Sequence, residues 1–346
     1  MATMHDVAQR AGVSPKTVSR VVNGEANVSE RTRRKVDAAI AELDFRPNTI
    51  ARNLRTGRTG LVALALPHLS QPFYAELAEA VMREAERRGL TVLIELTGGD
   101  AEAELALVRD HGPHVGGLLM YPVGLSDAQA RLVAQTVPTV FMTERSYDAP
   151  VDRVAMANRE GVRALVNHVV SFGYTRIAAL GAGDTDRPDQ AAAHLRLEGY
   201  RDGLRDAGLP YLPELVREVD TADWNRRAGA AGIQRLIDAG IRFDAVVAFA
   251  DVLALGALHA VQAAGLKVPA EVAVAGFDDI DDARYSHPSL TSVAPGTARI
   301  AREALALLND RMNGTATVEE GRLIVADFDL AVRESTLGGI APWGGA

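Results

Sequence analysis

Residues 14–22 place hydrogen-bond donors on one side of a short predicted helix. The apolar residues Val18, Val21 and Val22 would pack inward, which leaves the polar residues between them on the outer face. The outward-facing side chains are Lys16, Thr17, Ser19 and Arg20. Lysine and arginine donate to phosphate oxygens and to the edge of guanine, and hydroxyls donate to phosphates. This face therefore has the chemistry of a nucleic-acid reader.

A second set of candidates follows predicted strands, and its chemistry suits a sugar. Aromatic rings stack on the apolar face of a sugar, and carboxylates accept hydrogen bonds from its hydroxyls. The candidates are His68, Phe73, Trp224, Asp251 and Asp278. Core packing is the alternative for Phe73 and Trp224, and a solvated loop or a metal or acid–base site is the alternative for the aspartates at 278–282.

Signals for catalysis and for cofactors are weak. The chain has no cysteine, which excludes disulfides and thiol catalysis, and its histidines lack metal-ligand spacing. Gly181-Ala182-Gly183 follows a strand but lacks the third glycine of a dinucleotide-binding turn. We therefore expect no cofactor, no metal and no enzyme activity.

Three short helices position the first set. Thr3 and Asp6 have capping-box spacing at the start of a helix over about Met4 to Ala11, and Gly12 ends it. Ser14-Pro15 begins a second helix from Pro15 to Val22. A third helix begins at Ser29, where Val36, Ile40 and Leu43 recur at helical spacing. Helix, glycine-containing turn and helix is the helix-turn-helix signature, although an ordinary small bundle fits the same pattern.

From Leu61 onward, apolar strands alternate with helices. The predicted strands are Leu61–Leu66, Thr91–Leu96, Gly117–Tyr121, Thr139–Met142, Arg176–Leu180, Leu215–Val219, Ala245–Phe249 and Val272–Phe277. Alternating strands and helices predict an α/β fold with doubly wound parallel sheets. Ligands of such sheets bind beyond the carboxyl ends of the strands, where the second set of candidates lies.

The sequence resembles the lactose repressor (LacI/GalR) family. The segments DVA..AGVS..TVSRV.N, VS..TR.KV and PN..AR.L carry the resemblance in the first sixty residues. It implies that Pro15 and Lys16 vary with the operator sequence and that Arg20 contacts a base. It also implies phosphate contacts from Thr17, Ser19, Asn23, Ser29, Thr32 and Arg33.

The resemblance assigns a further role to the segment from Asn48 to Arg55. It implies a hinge that becomes helical only on operator DNA and lies in the minor groove beside its dimer mate, with Asn48 and Ala51 in that helix. Leu54 would wedge between base pairs and bend the duplex. A flexible linker is the alternative from the residues alone.

The body resembles the same family through SQPFYAEL, HLRLEGYRDGL and ADVLALGALHAVQAAGLKVPAEVAVAGFDDIDDARYSHPSLTSV. This implies a two-lobed periplasmic-binding-protein-like core and adds Arg196 to the ligand site. Ala250, where the family commonly has Asn, and His68, where many members have Asp, leave the effector's identity open. We expect lobe crossings near Asn158, Pro288 and Thr317.

The expected domains follow from these boundaries: a helix-turn-helix domain over 1–46, a hinge helix over 47–58, an effector-binding and dimerisation core over 59–338, and a flexible tail over 339–346. Lobe 1 would comprise 59–157 and 289–316, and lobe 2 would comprise 158–288 and 317–335.

The charge distribution supports a DNA-binding segment joined to a ligand-binding core. Residues 1–58 hold 11 Lys and Arg against 6 Asp and Glu, a net charge of +5, whereas the remainder holds 26 against 39, a net of −13. A basic segment on an acidic body suggests that only the first part meets a polyanion.

We expect a cytoplasmic, dimeric transcription regulator that represses a near-palindromic operator and responds to a sugar or sugar derivative. Whether the sugar induces or corepresses stays open. The alternative is a periplasmic-type solute-binding protein for sugar transport, but neither an export signal nor a membrane-spanning segment is evident.

Overall fold

The computed structural model describes residues 2–22, 28–43, 45, 60–183, 191–315 and 321–337. The chain forms two compact units, 1–60 and 61–346. Within the described residues, no helix is long and apolar enough to cross a membrane.

The first unit is a small bundle of three helices. They are α1 (Met4–Ala11), α2 (Pro15–Val22) and α3 (Glu30–Glu42). The predicted capping box is present, because the Asp6 amide donates to the Thr3 hydroxyl at 3.3 Å and the Thr3 amide donates to the Asp6 carboxylate at 2.8 Å. Gly12 ends α1 with φ 67°, in the left-handed region that favours glycine. Val7, Val18 and Val36 are fully buried and join the three helices in one core.

The second unit contains two six-stranded sheets. The strands are β1 (Leu61–Leu66), β2 (Thr91–Leu96), β3 (Gly117–Met120), β4 (Thr139–Met142), β5 (Asp152–Met156), β6 (Ile177–Ala182), β7 (Val216–Glu218), β8 (Ala245–Ala248), β9 (Ala273–Phe277), β10 (Thr291–Ala294), β11 (Leu323–Ala326) and β12 (Asp329–Ala331). The first sheet has the order β11-β5-β4-β3-β1-β2 and the second has the order β12-β10-β9-β8-β6-β7. All pairings are parallel except that of β10 with β12.

Helices connect these strands. They are α4 (Pro72–Arg87), α5 (Ala101–His111), α6 (Asp127–Thr136), α7 (Asn158–Ser171), α8 (Ala191–Asp206), α9 (Arg226–Asp238), α10 (Asp251–Ala263), α11 (Asp281–Tyr285) and α12 (Thr297–Met312). The strands β1, β3, β8 and β9 have almost no exposed side chains, as expected for strands covered by helices on both faces. The α/β fold predicted from the alternating pattern is confirmed.

Two of the three expected lobe crossings are wrong. The crossing near Asn158 agrees with the structure, since β5 ends in the first sheet and α7 packs on α8 of the second lobe. However, β10 still pairs with β9 in the second sheet, so the second crossing follows Ala294 rather than Pro288. Similarly, β11 pairs with β5, so the third crossing follows Ala326 rather than Thr317. Pairing with strands that are distant in the chain decides which sheet a strand joins, and the resemblance alone does not fix that position.

The expected segments of the two lobes change accordingly. Residues 289–294 belong with the second sheet and residues 323–326 with the first, the reverse of the prediction. The expected hinge helix over 47–58 and the tail over 339–346 lie outside the described residues.

Candidate functional site

The outer face of α2 carries the predicted DNA-reading residues. Pro15, Lys16 and Arg20 are exposed, whereas Thr17 and Ser19 are half-buried at the edges of this face. The helix start is fixed by Ser14, whose hydroxyl accepts the Thr17 amide at 3.2 Å. The geometry therefore presents a proline, a lysine and an arginine on one exposed helix of a helix-turn-helix.

The predicted phosphate-binding residues lie partly on α3. Ser29 caps this helix by accepting the Thr32 amide at 3.3 Å, and its hydroxyl lies 2.8 Å from that of Thr32. Ser29 is exposed, while Thr32 and Arg33 are half-buried. The structure thus gives Ser29 a capping role beside its predicted one. Four predicted residues lie outside the described residues: Asn23, Asn48, Ala51 and Leu54.

A cavity of about 290 Å³ lies where the carboxyl ends of strands from both sheets face each other. Residues that follow β1, β2, β3 and β4 form one wall, and residues that follow β7, β8 and β9 form the other, together with α8. This is the position at which open α/β sheets bind ligands. The lining includes His68, Phe73, Tyr74, Tyr121, Glu144, Arg196, Trp224, Ala250 and Asp278.

Arg196 is the polar centre of this cavity and is only 2% exposed. Its Nε donates to Asn158 Oδ1 at 2.6 Å, and its Nη1 donates to the backbone carbonyl of Phe249 and lies 3.6 Å from Asp278 Oδ1. The guanidinium carbon also lies 3.7 Å from the centre of the Phe277 ring. A cation held this firmly is pre-organised to donate to a ligand hydroxyl.

Asp278 lies opposite Arg196 in a strained backbone position. Its φ is 116°, a region that L-residues rarely adopt and that clusters at functional sites. Burial raises the pKa of Asp278 to about 7, and Glu76 and Glu144 add to this increase while Arg196 opposes it. The carboxylate can therefore gain or lose its proton near neutral pH.

Asp251 does not line the cavity, which corrects the prediction for this residue. Its side chain is fully buried behind the wall, where Oδ2 accepts the Ile280 amide at 3.0 Å and Oδ1 accepts the Ser292 hydroxyl at 2.7 Å. Burial raises the pKa of Asp251 well above its usual range, and Asp278 adds to the increase. Position after a strand was the basis of the prediction, but the side chain points to the neighbouring loop and supports residues 278–280 from behind.

Trp224 and Phe73 line the cavity although each is about nine-tenths buried. The indole Nε1 donates to the Val219 carbonyl at 3.1 Å, which satisfies the polar atom and fixes the ring. Both side chains therefore pack in the core and also line the cavity, and their contact with a ligand stays a prediction. His68 is half-buried in the same wall.

Sequence reasoning missed several polar residues of the cavity, among them Tyr74, Tyr121 and Glu144. The rings of Tyr74 and Tyr121 meet edge to face with centres 5.0 Å apart, and the Tyr121 hydroxyl donates to Glu144 at 3.3 Å. Tyr121 and Glu144 follow β3 and β4, so the rule about strand ends could have found them. The negative charge of Glu144 adds to the effect of burial in raising the pKa of Asp278.

Comparison with known proteins gives two family matches. Residues 3–48 match the family described as bacterial regulatory proteins, lacI family, and residues 166–336 match a periplasmic binding protein-like domain. The chain is 35% identical to the HTH-type transcriptional regulator CelR of Thermobifida fusca over 342 residues, which covers 96% of this chain and 98% of that protein.

Two of the similar solved structures, which cover nearly the whole chain, are a regulator–sugar complex and a repressor–operator complex. The complex of the regulator CelR with cellobiose has 34% identity and a TM-score of 0.69 and covers 97% of this chain and 100% of that one. The lac repressor dimer bound to operator and the anti-inducer ONPF has 30% identity and a TM-score of 0.77 and covers 97% and 99%.

Proposed function

This chain belongs to the lacI family of bacterial regulatory proteins, and we propose that it is a repressor that binds operator DNA as a dimer and responds to a sugar. The observation that carries the proposal is the joining, in one chain, of an exposed α2 face with a cavity built around Arg196 and Asp278. Its relatives are transcription regulators rather than enzymes, and operator binding would place the protein in the cytoplasm.

DNA recognition is assigned to α2 and α3. The second helix of a helix-turn-helix enters the major groove, where Arg20 and Lys16 can donate to guanine O6 and N7. Pro15 lacks a side-chain donor, so it can only shape the surface or contact a thymine methyl. Thr17, Ser19, Asn23, Ser29, Thr32 and Arg33 would hold phosphates and fix the register.

The hinge contacts stay a proposal from the family resemblance. Asn48 and Ala51 would lie in the minor groove on a helix that forms on DNA, and Leu54 would insert between base pairs. Two such helices in a dimer would read a near-palindromic operator.

The effector is assigned to the cavity between the two sheets. His68, Phe73 and Trp224 offer apolar or amphipathic faces, while Arg196 and Asp278 offer a fixed donor and a fixed acceptor. Asp251 supports the loop that carries Asp278 rather than contacting the ligand. This combination suits a neutral sugar, and cellobiose, which the relative CelR binds, is the first sugar to test.

The two lobes already touch at one side of the cavity. The amide of Asp281, in the second lobe, donates to Glu76 of α4, in the first lobe, at 2.9 Å. A sugar held by both walls would favour one arrangement of the lobes, and only such a difference in affinity can shift an equilibrium. We expect the sugar-bound arrangement to disfavour operator binding.

The test is an operator selected from random duplexes by the purified protein, followed by footprinting. We expect one protected, near-palindromic site. Arg20→Ala should lose about tenfold or more in affinity for that site, because a base contact is worth roughly 1–3 kcal/mol. Arg34→Ala is the matched control, because Arg34 is exposed on α3 and pairs with Glu30. Protection that is equal on all duplexes, or equal loss in the two variants, would overturn the proposal.

A further inference from the structure

The segment 121–125, here called the wall loop, follows β3 and forms part of the cavity wall. Tyr121, Pro122 and Val123 all line the cavity. Tyr121 also donates its hydroxyl to Glu144 across the wall. The position of the wall loop therefore determines where the ring of Tyr121, hydrogen-bonded to Glu144, would lie relative to a ligand.

The wall loop is pressed against the start of α5. A side chain at Gly124 would place its first carbon 2.6 Å from the Ala101 amide nitrogen and 2.9 Å from the Gly99 carbonyl oxygen. These backbone atoms cannot move aside as a flexible side chain could. Only glycine allows the two backbones to approach so closely, so the wall loop can pack against the start of α5 in only one position.

Glu104 of α5 binds the wall loop in this position, on the side of the loop that does not line the cavity. The side chain is fully buried and is not part of the lining. Its Oε1 accepts the Val123 amide at 2.8 Å, and the amides of Gly124 and Leu125 also favour its charged form. Three successive backbone amides thus face one carboxylate, as they do around an anion bound in a concave turn.

Burying the Glu104 carboxylate costs folding free energy, which argues against a role for Glu104 in packing alone. The second oxygen of Glu104, Oε2, is buried and has no hydrogen-bond partner within the described residues. Burial raises the pKa of Glu104 to about 7, the three amides oppose the increase, and Asp100 adds to it. Tyr147, whose hydroxyl is buried and equally without a partner there, also faces Glu104. A buried carboxylate with one unsatisfied oxygen costs stability, and an apolar residue of the same size would avoid that cost but leave the Val123 amide without its acceptor.

We infer that Glu104 is a positioning residue for the effector site: it fixes the wall loop and through it the placement of Tyr121 and Val123. It touches no ligand itself. The inference about affinity rests on the proposed function, whereas the effect on the loop does not depend on any ligand.

The test compares two substitutions that keep the volume of the side chain. Glu104→Met removes the acceptor, whereas Glu104→Gln keeps a carbonyl oxygen for the Val123 amide. Glu102→Met is the matched control, because Glu102 is an exposed glutamate on the same helix. Hydrogen–deuterium exchange of the peptide over 121–125 is measured in the free, full-length protein, together with cellobiose affinity by calorimetry.

Exchange of the wall loop is expected to rise about tenfold in Glu104→Met, because the amide of the half-buried Val123 loses its acceptor. Glu104→Gln and Glu102→Met should stay within about threefold of wild type. Cellobiose affinity should fall about tenfold in Glu104→Met alone. Melting temperatures show whether Glu104→Met is folded, and if it is not, Glu104→Leu takes its place in the comparison with Glu104→Gln.

Equal exchange in the Met and Gln variants would overturn the inference, and so would faster exchange with unchanged affinity. If wild type binds no sugar of a broad panel, the proposed function is contradicted instead. In that case the exchange result alone decides whether Glu104 fixes the loop.

Discussion

At the scale of single residues, Arg196 and Asp278 make the centre of the cavity polar, and the contacts around both side chains hold them in place. Arg196 is held by Asn158, by the Phe249 carbonyl and by the Phe277 ring. Asp278 is held by a strained backbone that Asp251 supports from behind through Ile280. Such fixed groups bind a ligand without a large cost for ordering them.

Asp278→Asn should separate ligand binding from DNA binding. Asparagine tolerates positive φ, so the loop is expected to keep its shape, but the charged acceptor opposite Arg196 is lost. We expect cellobiose affinity to fall about tenfold or more, with operator affinity unchanged. Calorimetry and a gel-shift titration measure the two, and Asp281→Asn, a change at the exposed first residue of α11, is the control. A retained sugar-induced release of the operator would contradict the assignment of Asp278.

The raised pKa of Asp278 gives the same assignment a pH dependence. Burial raises this pKa to about 7, so the side chain is largely neutral at pH 6 and largely ionised at pH 8. The ionised form is the stronger acceptor for sugar hydroxyls, so wild-type affinity should fall as the pH decreases from 8 to 6. Asp278→Asn should show a flatter profile over this range, and parallel profiles would assign the titration to another group.

At the scale of elements, β5, α12 and β11 are joined by one buried carboxylate. Asp152 is fully buried and accepts bonds from Arg311 and Arg322, each at 2.8 Å. Burial works against its charge, but the bonds from the two arginines lower the pKa of Asp152 to about 2. This cluster ties the start of β11, the edge strand of the first sheet, to β5 and α12.

Asp152→Asn should lower the free energy of unfolding by about 2 kcal/mol at pH 7, since the pKa falls from 3.8 to about 2 on folding. A lowered folded-state pKa contributes stability above the unfolded value, and that contribution is lost as the pH falls toward 2. The difference from wild type should therefore be constant between pH 7 and 5 and shrink below about 4. Urea unfolding at several pH values measures it. Asp148→Asn, an exposed aspartate paired with Arg131, is the control, and an undiminished difference at pH 3.5 would contradict the ion-pair explanation.

Local signals in the sequence predicted some elements to the residue. The ends of α1 and α2 follow from Thr3, Gly12 and Pro15, because caps and prolines act through the backbone of adjacent residues. The strands β1, β2 and β4 follow from continuous or alternating apolar runs. The lobe crossings after Ala294 and Ala326 did not follow, since strand pairing depends on residues distant in the chain.

At the scale of the whole molecule, the cavity too has features that local sequence signals predict and features that depend on residues distant in the chain. The family resemblance predicted one lining residue, Arg196. The rule that ligands lie beyond parallel strand ends predicted four others: His68, Phe73, Trp224 and Asp278. It placed Asp251 wrongly, because the rule gives the position of a residue and not the direction of its side chain. Glu104 and Asn158 could not be recognised in advance, since their roles arise only when loops from different strands meet.

The central claim is that one chain couples a DNA reader to a sugar cavity. A ligand that contacts both lobes can change the separation of the two readers in a dimer only if it prefers one arrangement of the lobes. The sign of the response then depends on which arrangement places the readers correctly for the operator, and we expect release.

The most direct test is a fluorescence-anisotropy titration of the selected operator with full-length protein, in the absence and presence of a sugar identified by thermal shift. We predict tight, sequence-selective binding that the sugar weakens in wild type and leaves unchanged in Asp278→Asn. An operator affinity that every sugar leaves unchanged, or a wild-type response that Asp278→Asn fully retains, would contradict the account.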